Sequence, residues 1–195
     1  LYRDESPYKM QREWLDRLPF DIYSVNVHTG AKRLIGRSYR TAPKWSVNGK
    51  WAVMYDPIAQ VWNKFDGATG KVVNISDAIG YPMFVESYDK PAPAPAYGIA
   101  GWTADGNNVF LYDAYDWWKI DLTGERQPEC LTKGYGRKHG KSIRKMTSNI
   151  DKDVFQKDEK VIVSLWDKDT MDEGVYQLDM KGRLRKLMEG HYVYT

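Results

Sequence analysis

Three stretches of the chain follow one plan, and that repeat limits the folds open to it more than any other feature. The first is PKWSVNGKWAVMYD followed by QVWNKFDGATGKVVNIS, the second AGWTADGNNVFLYD followed by DWWKIDLTGERQPECLT, and the third FQKDEKVIVSLWD followed by GVYQLDMKGRLRKLMEG. Each contains an aromatic, a polar turn, an apolar strand ending in Asp, a second strand, a Gly turn and a last strand. A recurrence of about 40–55 residues with four short strands per unit is the signature of β-propeller blades. The expectation is an all-β chain: a partial propeller of about three full four-stranded blades with partial blades at both ends.

Composition fits that expectation. Trp and Tyr (8 and 14 residues) far outnumber Phe (5), and both suit half-buried strands with one wet edge. The net charge of +3 over 195 residues lacks the concentrated basic face of a nucleic-acid binder. No apolar run approaches the ~18 residues of a membrane span. The single cysteine, Cys130, has no partner for an internal disulfide and reads as a small strand hydrophobe. The polar opening Leu1–Glu5 has neither an initiator Met nor the pattern of a signal peptide, so the chain reads as a segment of something longer.

The pattern divides the chain into a partial blade at 1–41, a blade at 42–80, a blade with a Pro-rich lead-in at 81–135, and a blade plus the start of the next at 136–195. Within the first part, Lys9 to Leu18 has Trp14, Leu15 and Leu18 on one side of a short helix, or else forms a surface elaboration. Two strands follow, Phe20 to Val27 and Ala31 to Ile35. Asn48-Gly49 is a tight hairpin turn. The alternate prolines of Pro91 to Ala96 remove donors and fix φ, which predicts an extended, polyproline-like connector. The third full unit is drawn from about 146. The basic stretch before it, with Arg137, Lys138, Lys141, Arg144 and Lys145, reads as a solvated crossover between blades. His191 to Tyr194 reads as the start of a further strand.

The chemistry-bearing residues mostly read as structure. His28, His139 and His191 have no second His or Cys at ligand spacing. Asp167, Asp169, Asp172 and Glu173 lack the Gly and distal Glu of a calcium loop and fit a hairpin tip. The basic stretch has one aromatic, Tyr135, too few for interleaved base stacking. Asn74-Ile75-Ser76 matches a glycosylation sequon that is too short to carry weight. Asp56, Asp113 and Asp167 close the second strand of each unit, and turn amides are their natural partners; Asp21, Asp121 and Asp179 recur near the third strand with the same expected role. Adjacent strand residues face opposite ways, so Trp117 and Trp118 are expected to enter opposite layers. Sugar stacking by an exposed Trp is the alternative.

Residues 88–145 also carry a family pattern. PAYGIAGWTADG, YDAYDWWKID and LTKGYGRK, with the opening LYRDESPYK and DIYSVNVHTGAKRLI and the closing LMEGHYVY, resemble the N-terminal β-propeller of prolyl-oligopeptidase-family serine peptidases, in the large variant of Bacteroidetes-type bacteria. The resemblance implies a propeller that screens an active site, a following α/β-hydrolase domain, peptide substrates and a periplasmic or secreted location. Catalysis in that family rests on a Gly-x-Ser-x-Gly elbow, which this chain lacks. No catalytic, cofactor or metal residue is therefore assigned, and no cofactor, nucleic-acid partner or membrane span is expected. The rival expectation is a stand-alone binding or interaction module like the TolB-type propellers.

Overall fold

The computed structural model describes residues 1–15, 17–146 and 153–190. Four sheets follow one another along the described chain. The first contains β1 (Tyr2–Asp4), β2 (Phe20–Val25) and β3 (Lys32–Tyr39). The second contains β4 (Lys44–Trp45), β5 (Trp51–Asp56), β6 (Val61–Asp66) and β7 (Val72–Asn74) in simple up-and-down order. The third has β8 (Ile99–Thr103), β9 (Asn108–Tyr112), β10 (Trp117–Asp121) and β11 (Glu129–Cys130) in the same order. A one-turn helix, α1 (Tyr135–Lys138), leads into β12 (Lys141–Lys145). The chain then returns to the third sheet through β13 (Val154–Phe155), which pairs parallel with β8. It finishes the fourth sheet with β14 (Lys160–Asp167), β15 (Glu173–Asp179) and β16 (Leu184–Gly190), in the order β12-β14-β15-β16.

Strand alternation makes these sheets stack face to face in chain order. On β5, Ala52 and Met54 pack against Phe20, Ile22 and Tyr39 of the first sheet, while Trp51, Val53 and Tyr55 pack against the third. On β9, Val109 and Leu111 complete that second core, whereas Phe110 and Tyr112 enter a third with Ile143, Val163, Leu165 and Leu178. Consecutive antiparallel meanders that share both faces with their neighbours are the blade arrangement of a propeller. Trp117 and Trp118 divide as period 2 requires: Trp117 lies in the core shared with the fourth sheet, Trp118 in the core shared with the second.

The turns explain the recurring Asp. Asp56 Oδ1 accepts from the amides of Ile58 and Ala59, and Asp167 Oδ1 from those of Asp169 and Thr170. The same device closes the hairpins at Asn26 and Asp66, where the fifth residue is Gly30 or Gly70 at φ near +70°. Asp121 and Asp179 also hold turn amides. Asp21 does something else: it is buried on β2 and accepts from the Tyr8 hydroxyl at 2.5 Å and the Ser38 amide at 3.1 Å.

Several local expectations are corrected. The first sheet has a third strand, Tyr2–Asp4, in addition to the two read from sequence. The helical segment is a 3-10 helix at Ser6–Gln11 and does not extend over Lys9 to Leu18. Of the expected apolar stripe, Leu15 and Leu18 are half-buried while Trp14 is 73% exposed, and so short a helix is marginal without packing. Tyr8 is the anchor instead. The third unit starts at Lys141, earlier than 146, because the second half of the basic stretch is a strand. His191 to Tyr194 lie outside the described residues.

Candidate functional site

The motifs YDAYDWW and LTKGYGRK fold onto each other as one network. Asp113 is fully buried, and its Oδ1 accepts from the Tyr115 and Asp116 amides at 2.7 and 2.6 Å. Its Oδ2 accepts from Trp118 Nε1 at 3.0 Å and from Arg137 Nη2 at 2.8 Å. Asp116, 1% exposed, accepts from the Thr132 hydroxyl at 2.6 Å and the amides of Gly136 and Arg137 at 2.9 and 3.0 Å. Thr132 Oγ1 in turn receives the Trp117 amide at 3.1 Å. The two carboxylates are thus saturated with donors, as buried charges must be.

Each motif glycine has its own reason. Gly134 opens α1 at φ +71°, which a side chain resists. At Gly136, a Cβ would stand 2.6 Å from the Tyr115 carbonyl and 2.7 Å from that of Lys141. At Gly101, within YGIAGW, it would meet the Asp153 carbonyl at 2.7 Å.

The basic stretch is not a solvated crossover. Arg137 pairs with Asp113 and lies over the rings of Tyr81 and Tyr115, 3.8 and 5.1 Å from their centroids. Burial opposes its charge, but the hydrogen bond to Asp113 and that carboxylate's charge raise the guanidinium above its ordinary value. Arg144 donates to the carbonyls of Asp113, Ala114 and Ile143 and stacks on Tyr112 and Tyr97. Burial pulls its guanidinium below the usual value. Lys141 reaches Glu189 and Lys145 reaches Asp153. Only Lys138 of the five keeps an exposed side chain. The signal missed in the sequence is a strand buried on both faces: the adjacent Ser142 and Ile143 point opposite ways and are both buried, and their neighbours are long cations with apolar stems.

The remaining sequence candidates stay apart. His28 lies in an exposed turn and His139 at the exposed end of α1, beside Tyr135. Asp167, Asp169, Asp172 and Glu173 surround the β14–β15 hairpin, and among the described residues no group of His, Cys, Asp and Glu has metal-site geometry. The Asn74 side chain is engaged by the amides of Ser76 and Asp77. Cys130 is half-buried, and burial raises its thiol above the ordinary value. No helix of the described residues is long and apolar enough to cross a membrane.

One cleft differs in kind. The Pro-rich run folds back beside Phe84 through a bridge at Ala96, with the Val85 amide bonded to the Pro95 carbonyl. Its prolines form one wall of a cleft of about 390 Å³. Trp14, Tyr55 and Tyr88 supply aromatic surface, and Arg17, Arg40 and Lys90 supply charge. Tyr55 is fixed by its hydroxyl, which donates to the Ala94 carbonyl at 3.1 Å; burial, then the charge of Asp56, pushes that hydroxyl up to about 12. Among the described residues, none of the three cations has a hydrogen-bond or ion-pair partner for its side chain, and no carboxylate lines the cleft.

No family model matches the chain, and no curated protein matches it. Among solved structures, a TolB from Agrobacterium tumefaciens is similar at 16% identity and a TM-score of 0.47. The match covers 88% of this chain and 57% of the TolB chain.

Proposed function

We propose that this chain is a non-catalytic propeller segment of a prolyl-oligopeptidase-type serine peptidase. Its role is to gate and shape access to a C-terminal α/β-hydrolase domain of the same parent protein, which acts on peptides. The observation that carries this reading is the Asp113–Trp118–Arg137 and Asp116–Thr132–Gly136 network. Two of the motifs on which the family resemblance rests, YDAYDWWKID and LTKGYGRK, are the ones that interlock, so together they are a device for building this particular propeller. Its carboxylates are committed to holding strands, and chemistry falls to the partner domain.

The test is labelling with a fluorophosphonate probe. The full product of the reading frame containing this chain is expected to label on a serine in a Gly-x-Ser-x-Gly segment outside residues 1–195, and the 195-residue chain alone to remain unlabelled. Covalent labelling within these residues, or a full product with no such segment, overturns the reading. The second reading, a TolB-like binding module, is favoured by the cleft at the Pro-rich run: it has the walls and charges of a ligand site without any requirement for chemistry.

A further inference from the structure

We infer that the cleft between the Trp14 segment and the Pro-rich run is a binding site for an amphipathic carboxylate, an anionic head on an apolar body of about dipeptide size. Three cations from separate parts of the chain, Arg17, Arg40 and Lys90, converge on one space with no carboxylate in its described lining. Cations that line one space favour an incoming anion over a neutral group. Guanidinium groups favour a carboxylate because their planar fork matches its two oxygens.

The apolar half of the ligand follows from the other walls. Trp14 is 73% exposed, the most open of the large aromatics among the described residues, and presents a ring face for stacking. Tyr55 is immobilised through its hydrogen bond to Ala94. The prolines opposite are stiff without hydrogen bonds, so this wall is formed before a ligand arrives and little ordering entropy is lost on binding. A volume of about 390 Å³ lies at the small end of ligand pockets, which run from about 300 to 1,000 Å³. The site owes nothing to a hydrolase partner, so it stands or falls independently of the peptidase reading.

The experiment titrates the 195-residue chain with acetyl-glycyl-phenylalanine as the free acid, with the corresponding C-terminal amide, and with 3-phenylpropionate, followed by tryptophan fluorescence and calorimetry. The free acid is expected to quench saturably, with the amide about tenfold weaker or worse, the loss of one charge-assisted contact. Trp14→Phe should remove most of the quench while calorimetry still detects binding. Arg40→Gln with Lys90→Gln should weaken the acid about tenfold or more while circular dichroism and Tm stay unchanged, since neither side chain has a hydrogen-bond or ion-pair partner among the described residues. Equal binding of phenylpropionate identifies free organic acids as sufficient ligands; preference for the peptide acid identifies a peptide C-terminus. Equal affinity for acid and amide, indifference to the double substitution, or no saturable binding of either acid overturns the inference.

Discussion

Asp56 and Asp113 hold the same place in the repeat, yet the structure sets them far apart in consequence. Asp56 accepts two turn amides at a half-exposed hairpin. Replacing it with Ala should cost about 1 kcal/mol, the usual value for a lost cap-like bond. Asp113 accepts those two amides and also neutralises Arg137 and satisfies the buried Trp118 indole. Asp113→Ala leaves a buried N–H and a half-buried guanidinium without partners, which should cost about 3–5 kcal/mol. Urea midpoints of the two variants measure the difference, and equal losses would show that the network adds nothing to the turn. The turn half of this contrast was legible in the sequence, because an Asx side chain two residues before the amides it bonds is a local rule. The rest was not, since Arg137 lies 24 positions away from Asp113 and local spacing carries no sign of that pairing. Asp21 was misread for the same reason: its partners Tyr8 and Ser38 come from two other segments.

At the scale of the element, the fourth sheet has a clasp across it. Lys141 on β12 and Glu189 on β16 occupy opposite edge strands, yet their side chains meet. Gly174 on β15 lies beneath the crossing, where a Cβ would stand 2.7 Å from the Tyr176 ring and 3.4 Å from the Glu189 side chain. The hydrogen bond from Lys141, then that from Lys186, depresses the Glu189 carboxyl from 4.5 to about 2. A carboxylate whose folded value is lowered stabilises the fold fully above its unfolded value and loses that contribution as pH falls through the folded one. The window here is therefore pH 4.5 down to about 2. Solvent screening of this partly exposed group limits the contribution to about 1 kcal/mol. Wild type should exceed Glu189→Gln by about that amount at pH 7, and the gap should close near pH 2. A gap that is constant across this range would remove Glu189 as its source. This clasp also shows why the basic stretch was read as a crossover: charge density resembles a loop, and only the topology reveals that these cations edge a sheet.

Across the whole molecule, the stacking of sheets was legible because strand periodicity is a global constraint. Once β5, β9 and β10 alternate, both of their faces need neighbours, and chain order supplies them. What periodicity misses is the exchange at β13. Val154-Phe155 occupies the place in the third repeat that β4 and β8 occupy in the first two, and repetition alone would put it at the edge of the fourth sheet. Instead β12 takes the edge beside β14, and β13 pairs with β8 in the sheet before. The Trp102 amide donates to the Asp153 carbonyl at 2.7 Å and the Ala104 amide to that of Phe155 at 3.0 Å, while Phe155 enters the core between the third and fourth sheets. Gly101 permits this approach: a Cβ there would stand 2.5 Å from the Phe155 ring and 2.7 Å from the Asp153 carbonyl. The backbone oxygen has no flexible way out, so Gly101→Val should lift β13 from β8 and withdraw Phe155 from its core, at about 3–5 kcal/mol, the range for losing a buried Phe side chain. Phe155→Ala should lose similar stability through its cavity but keep the backbone pairing. Amide hydrogen exchange separates the two variants, because local opening is read bond by bond. In Gly101→Val the Trp102 and Ala104 amides should exchange as if free while those within β9 and β10 stay protected; in Phe155→Ala all of them should weaken together. Retained protection of Trp102 and Ala104 in Gly101→Val would mean that β13 docks without help from the glycine, and would overturn this account of Gly101.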